Sequence, residues 1–558
     1  GYKDEALLGY FITEEQNRTL SVFPISQKLR YLIPFSDPEK TIEYIKSFPS
    51  DSGGELMVIT DDGEKFGLWP GTHNLVFVER WLERFFTILI ENSEWLNITT
   101  FSEYIDKFPP LGRIYLPTNS YFEMGEWSLP PESREEMENF VEQLEMRGEL
   151  EEVKRFLRGG FWRNFLVKYP ESNHMQKRMY YISEKLREFQ KETGQTLSKE
   201  KFDLMRGQCN CAYWHGIFGG LYLPHLRNAV YQNLISAESS LDKRRYGPKG
   251  WILVEKTDFD KDGVEEIILK NSEISVFISP GEAGAITEID YKPANLNLMN
   301  TMARRRESYH KDFYNSEKGV EGSGISIHNR SRKADDGLRQ LLYYDTYRKM
   351  SLIDHFFDPD TTLEEFIKNN FQEFILLRDR LYSSSVKRDQ EKASAVLSAS
   401  GSVRLPGVKA EMQIIKRISI TCDRPEIEIE IQIKNLSERE FNFNYGSEFN
   451  FFLASTHGGE SGVEINNSEV EFNPLITSIM KEAVRELTLK NGERKISIVL
   501  NFEGEPHIWY FPVETVSQSE SQYERIYQSS TILPYWNIRL ESSHMWETRI
   551  NLKISASQ

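Results

Sequence analysis

Cysteine is nearly absent: Cys209, Cys211 and Cys422 are the only three in 558 residues. An odd, low count supplies no disulfide framework and suits a reducing compartment. Cys209-Asn-Cys211 lacks metal-ligand spacing and has no second pair beside it, so no metal site is predicted. Long apolar runs are missing too. None approaches the roughly 20 residues that a membrane helix needs, and no stretch reads as a signal peptide. Positive charge is in deficit, with 68 Lys and Arg against 85 Asp and Glu and a net charge of −17. That balance argues against nucleic acid and anionic membrane surfaces as partners. A cytoplasmic protein is expected. The chain begins with Gly1 rather than Met, as a processed form or a fragment would. Internal repeats and low-complexity tracts are absent.

What is present is ring-bearing side chains: 34 Phe, 26 Tyr and 10 Trp. That is more than cores usually need. Surplus Trp and Tyr beside carboxylates suit stacking on sugar faces, and they also suit ordinary packing. The length allows two to four domains with sizeable cores.

Residues 1–117 alternate short apolar runs with helical periods. Tyr10–Thr13, Ser21–Ile25, Tyr31–Phe35 and Leu56–Ile59 read as strands. Asp37-Pro38 opens a helix that runs to Lys46. Asn74 to Asn92 reads as one long amphipathic helix. Strand and helix in alternation predict an α/β domain with a parallel sheet. Residues 118–245 are helical, with 3.6-residue spacing over Pro131–Leu144 and Met175–Lys191. Residues 246–558 turn to strict alternation, as in Ile427–Lys434, Phe441–Tyr445, Ile496–Leu500 and Trp546–Ile554. Period two over so long a stretch predicts an antiparallel β-sandwich of supersandwich size. Lys243–Gly250 is the expected linker.

Chemistry concentrates in Val58-Ile-Thr-Asp-Asp-Gly-Glu-Lys-Phe-Gly-Leu-Trp-Pro-Gly-Thr-His73. A short apolar run ends in two carboxylates, and beyond them Gly and Pro break any regular structure. Asp62 is the main candidate for acid/base work. Neighbours on an extended chain point to opposite sides, so one of Asp61 and Asp62 should meet a ligand. The other should cap the loop or pair with Lys65. An Asp-rich turn over a packed Trp69 stays open as the plain alternative. A second cluster is Trp214-His-Gly216 with Phe218-Gly-Gly220. Here Trp214 reads as a sugar platform or as core, and His215 as a hydroxyl donor or as a satisfied polar group. Arg304-Arg-Arg306 with Glu307 and His310 reads as an ion-pair cluster sooner than a phosphate site. Arg158–Arg163 reads as a structural junction.

At these residues the sequence resembles family 57 of the glycoside hydrolases, the α-amylase and 4-α-glucanotransferase group. Asp61-Asp-Gly-Glu-Lys-Phe-Gly-Leu-Trp-Pro70 looks like the family's fourth conserved region. By that resemblance Asp62 is the catalytic acid/base and Trp69 contacts substrate. Gln208–Arg227 looks like the fifth region, with Trp214 as the sugar-stacking tryptophan. Cys211 stands where some members carry a substrate-contacting Asp. Arg158–Met175 resembles the central helical signature, and Gly284–Tyr291 and Arg305–His310 resemble the C-terminal sandwich.

The resemblance implies the last strands and helices of an incomplete (β/α)7 barrel over 1–117. It implies a helical domain over 118–245 and a galactose-mutarotase-like sandwich over 246–558. The implied activity is retaining transfer on α-1,4-glucans, as a 4-α-glucanotransferase disproportionating maltooligosaccharides or starch. The alternatives are an α-amylase or a non-catalytic glucan-binding fragment. No cofactor is implied; the partner is an α-glucan or maltooligosaccharide, and a homodimer is admitted. The family's nucleophile, a Glu, and a His-x-Pro strand are expected ahead of Leu8–Ile12, and residues 1–60 hold neither. The nucleophile is therefore expected outside this chain. Glu123 and Glu126 fit no nucleophile motif.

Overall fold

The computed structural model describes residues 7–48, 53–314, 336–404, 410–452, 461–470, 477–519 and 522–556. Gly1 lies outside them. Two compact units divide the chain: residues 1–119 with 151–158, and residues 120–150 with 159–558.

In the first unit β1 (Phe11–Glu15) pairs antiparallel with β2 (Arg18–Val22). Helices α1 (Gln27–Leu32), α2 (Pro38–Lys46), α3 (Trp81–Glu91) and α4 (Phe101–Lys107) come next. A two-residue strand, β3 (Gly112–Arg113), joins β1 in parallel. The hairpin makes this sheet mixed, where a parallel one is predicted. Three local expectations fail for identifiable reasons. Tyr31–Phe35 is no strand, because Ser26 caps a helix there by accepting from the Leu29 amide at 3.3 Å. Leu56–Ile59 forms only a single parallel bridge, Ile25 to Val58. The helix expected over 74–92 is broken. Asn74–Val78 is one π turn, and Arg80 takes a left-handed φ of 58° before α3 begins. Trp81 anchors α3 by burying its ring and donating to the Ser36 carbonyl at 2.6 Å. Phe86 of α3 is exposed.

The second unit opens with α5 (Phe122–Ser128) and α6 (Pro131–Arg147); α7 (Leu150–Val153) spans the boundary between the units. Next come α8 (Asn164–Lys168), α9 (Pro170–Thr193), α10 (Ser198–Arg206) and α11 (Pro224–Tyr246). Helix α11 occupies the first half of the expected linker. Lys243, Arg244 and Arg245 fill its last turn, where cations offset the helix dipole, and Gly247 ends it at φ +87°.

Beyond α11 the chain is strand. Five antiparallel strands form one sheet in sequence order: β4 (Ile252–Thr257), β5 (Glu266–Asn271), β6 (Ile274–Ser279), β7 (Ala285–Tyr291) and β8 (Leu296–Asn297). After β9 (Ile353–Phe357) come β10 (Ser383–Arg388), β11 (Lys392–Ser402), β12 (Glu411–Thr421), β13 (Glu426–Asn435) and β14 (Phe441–Phe451). The last eight are β15 (Ser461–Ile465), β16 (Ser468–Val470), β17 (Ile479–Lys481), β18 (Glu486–Asn491), β19 (Ile496–Phe502), β20 (His507–Gln518), β21 (Tyr523–Leu540) and β22 (Met545–Ala556). A nine-stranded sheet runs β10-β11-β12-β13-β22-β19-β18-β15-β16, and a five-stranded sheet runs β17-β20-β21-β14-β9.

Period two sets the faces. Ile427, Ile429, Ile431 and Ile433 of β13 are fully buried, while the Glu residues between them face outward. Strands β5, β6 and β7 are buried throughout, because side chains of α9 and α11 cover their second face. That second interface is ionic. Arg178 of α9, without solvent contact, reaches Glu288 and Asp290 of β7 at 2.8 Å each and also pairs with Glu238 of α11. Lys270 of β5 joins Glu238 and Asp242. Buried charges persist only when paired in this way.

Candidate active site

The Gly/Pro loop of the first unit separates its two carboxylates. Asp61 turns inward, where Lys65 Nζ lies 2.6 Å from its Oδ2 and Arg30 Nε 3.5 Å from its Oδ1. Gly63–Phe66 is a 3-10 turn that folds Lys65 back under the loop, and Lys65 Nζ also donates to the Arg30 carbonyl. The Asp61 side chain is 6% exposed and that of Asp62 is 50% exposed. Asp62 pairs with Arg30 Nη2 at 3.1 Å. Trp69 stacks on Phe35 at 6.3 Å and 17°, and Lys65 Nζ stands 5.1 Å from the Phe35 ring and 6.0 Å from that of Trp69. Lys65 thus joins the acidic pair to the aromatic pair. The loop carries both a half-exposed carboxylate and a partly buried indole.

The second unit carries Trp214 and Cys211. Asn210–Tyr213 is a single 3-10 turn, and Cys211 on it is exposed, its thiol donating to Asn210 Oδ1 at 3.4 Å. Trp214 is half-buried and stacks on Trp127 at 5.6 Å and 18°. The glycines serve that stack rather than a ligand. A Cβ on Gly216 would come within 2.7 Å of Trp127 and 2.9 Å of Trp214. Gly220 sits at φ +51°, and a Cβ there would meet the Trp214 carbonyl oxygen at 2.3 Å.

His215 is not a ligand donor. It is 3% exposed, with Nδ1 shared between the Phe218 and Gly219 carbonyls at 3.1 and 3.0 Å. Its Nε2 meets the Tyr309 hydroxyl at 3.1 Å. Burial pulls the imidazole down to about 4, so it is neutral near pH 7. It holds its own loop closed.

Behind the tryptophans lies a charge centre. Glu307 accepts from Lys168 Nζ at 2.9 Å, Tyr169 at 2.6 Å and Tyr222 at 2.8 Å. Burial alone would raise this carboxyl. Lys168 and His215, with the Tyr169 hydroxyl bond, outweigh burial and hold it at about 2. Lys168 also donates to the Trp127 carbonyl at 3.1 Å and so ties the platform to that centre. The neighbouring arginines are structural. Arg304 pairs with Asp345, Arg305 with Glu171, and Arg306 with Glu132 and Glu135. Gly159 is structural as well, since a Cβ there would meet the Tyr121 carbonyl oxygen at 2.0 Å.

Glycosyl hydrolase family 57 matches residues 3–117, and the middle and C-terminal domains of the alpha-amylase/4-alpha-glucanotransferase group match 160–241 and 258–550. Alpha-amylase 1 of Dictyoglomus thermophilum is 38% identical over 552 residues, 99% of this chain and 77% of that protein. The chain belongs to glycosyl hydrolase family 57. A second relative, 4-alpha-glucanotransferase of Thermococcus litoralis, is 36% identical over 95% of this chain and 73% of its own length. The crystal structure of 4-alpha-glucanotransferase from that organism superposes with a TM-score of 0.81 at 31% identity, covering 99% of this chain and 76% of the other.

Within this family-57 chain, sequence reasoning passed over Arg30, Trp127, Lys168 and Glu307 as parts of either cluster. Trp127 was visible in Tyr121–Trp127, whereas Arg30 carries no local signal. It also passed over Asp258-Phe-Asp-Lys-Asp-Gly263, whose spacing matches the start of a calcium loop. Among the described residues this is the one acidic group that could hold a metal ion, with ligand oxygens of Asp258, Asp260 and Asp262 within 4.8 Å of one another. Burial, with Asp262 and Glu282 nearby, pushes the Asp260 carboxyl up to about 6. No described helix is long and apolar enough to cross a membrane.

Proposed function

We propose that this family-57 protein cleaves and re-forms α-1,4-glucosidic bonds as a 4-α-glucanotransferase, with Asp62 as its acid/base. The observation that supports this is the division of labour between the two carboxylates. Asp61 is taken up by Lys65 and Arg30, and Asp62 stays half-exposed. In a retaining reaction Asp62 gives its proton to the leaving glycosidic oxygen as the bond to the anomeric carbon breaks. It then takes a proton from the acceptor hydroxyl as the new bond forms. The second carboxylate of that chemistry is not assigned to a residue of this chain. Trp69 and Trp214 stack on glucose faces, and Cys211 lies beside the latter as a substrate contact.

Transfer rather than hydrolysis is supported by the half-buried Trp214, held rigid against the buried Trp127 as an aromatic group that can hold a sugar acceptor. The same reading takes 1–117 as the C-terminal part of a (β/α)7 barrel, 118–245 as a helical domain and 246–558 as a galactose-mutarotase-like sandwich. The free cysteines suit a cytoplasmic protein. Incubation with maltotetraose tests the activity. Longer and shorter oligosaccharides together mean transfer. Rising reducing ends without longer products mean an α-amylase. Binding without turnover leaves a glucan-binding module.

A further inference from the structure

A cavity of about 330 Å³ opens in the β-sandwich where the β19–β20 turn meets β21 and the start of β22. That size is at the lower end of small-ligand sites, which begin at about 300 Å³. Three half-buried rings line it, His507, Tyr535 and Trp546, with the buried Trp536 behind them. Each is fixed by other rings. Tyr535 stacks on His507 at 5.1 Å and 21° and lies 4.8 Å from Trp509. Trp546 sets its edge to Trp536 at 5.5 Å and to Tyr445 at 5.6 Å.

The turn is held just as firmly. Trp536 Nε1 and Thr548 Oγ1 both donate to the Glu503 carbonyl, at 3.2 and 3.0 Å. Around the rings stand the carboxylates of Glu503, Glu505 and Glu547 and the amide of Asn537, all exposed. Among the described residues neither Lys nor Arg lines the cavity. Arg485 pairs with Glu505, and Gln432 donates to Glu547 at 3.2 Å.

Carboxylates only accept hydrogen bonds, so this lining rejects anions and calls for a ligand rich in donors. Ring faces are electron-rich and attract polarised C–H groups. A neutral pyranose offers both, with hydroxyls around its edge and C–H groups on its faces. We propose that this cavity is a second α-glucan site, which holds a glucose unit of a long chain through Tyr535 and Trp546 and hydroxyls through Asn537 and Glu547. The choice of glucan rests on the function proposed above. An ammonium-type cation, which also favours rings and carboxylates, is the competing ligand.

The test uses the full chain with Trp546→Ala, Tyr535→Ala and the exposed double variant Asn537→Ala/Glu547→Ala, the last as a change that leaves packing alone. Native electrophoresis through glycogen gives binding, and initial rates on maltotriose give turnover. The site predicts at least a fivefold weaker hold on glycogen in all three variants, with maltotriose rates unchanged. Glycogen retention unchanged in the double variant and in either folded ring variant overturns it, as does retention absent from the parent protein. Tetramethylammonium bound by the parent and lost in the variants, with glycogen retention unmoved, reassigns the cavity to a cation and overturns it too. A parent that turns over no maltooligosaccharide yet loses glycogen in these variants rejects the proposed enzyme and keeps this site.

Discussion

Lys65 Nζ lies 2.6 Å from Asp61 Oδ2, and the two side chains are only 4% and 6% exposed. This one pair sorts two adjacent aspartates into different environments. Removing Lys65 leaves a buried carboxylate with the Asp62 amide at 3.0 Å and the more distant Arg30 as its only cation. Breaking a buried pair costs about 3–5 kcal/mol. Lys65→Met should therefore lower the melting temperature of the first unit's transition, and Lys65→Met/Asp61→Asn should recover part of the loss. A Lys65→Met melt superimposable on the parent's would count against the pair as an anchor.

Asp62→Asn removes the proton and little else, since the ion pair it makes with Arg30 is half-exposed. Acid/base catalysis is worth about 10²–10⁴-fold. In the protein complete with its nucleophile, turnover of maltotetraose should fall by about that factor while the dissociation constant for maltotetraose stays within about twofold. Activity within threefold of the parent would take the role from Asp62.

Gly216→Ala places a methyl group between two stacked indoles, 2.7 Å from Trp127 and 2.9 Å from Trp214. Overpacking of this kind costs about 1–3 kcal/mol. The variant should lose glucan affinity together with stability, whereas Trp214→Ala should lose affinity with the smaller stability change expected of a half-buried ring. Near-ultraviolet circular dichroism of the indole pair and calorimetry separate the two outcomes.

His215 and Glu307 each give the second unit a contribution that is lost in acid. Folded His215 holds its proton only below about 4, against an ordinary 6.5. The unfolded chain therefore binds more protons between those values, and stability falls as pH drops from 6.5 towards 4, by on the order of 3 kcal/mol. Glu307 sits at about 2 against an ordinary 4.5, so its contribution is complete above 4.5 and is lost on the way down to 2.

On the alkaline side one contribution comes from His355, 2.7 Å from Glu373 and 2.8 Å from Glu448. Burial would lower it, but the two carboxylates outweigh burial and raise it to about 9. Its contribution is complete below 6.5 and is lost as pH rises through 9. Asp260 at about 6, Glu126 at about 7 and Glu266 at about 8 titrate in the same range, so calorimetry compares His215→Asn with the parent: the variant's melting temperature should gain on the parent's as pH drops from 6.5 to 4. A difference between the two that stays flat over that range would exclude the His215 contribution.

Much of this protein is set by local pattern. The Ile–Glu alternation of 427–433 can satisfy one buried face only as a strand, and Asp37-Pro38 starts a helix because proline there sacrifices no hydrogen bond. The Asp61–Pro70 motif carries its chemistry in its own residue types. Contacts distant in sequence decided the rest. Arg30 reaches Asp62 across 32 residues, and Lys168 reaches Glu307 across 139. No window of sequence contains both ends of such a pair. Hence only the tertiary structure could show that Asp61 is buried and Asp62 exposed, that His215 closes a loop, and that Gly216 makes room for two tryptophans. Burial and charge pairing are properties of position in space. Periodicity and turn chemistry are properties of the chain.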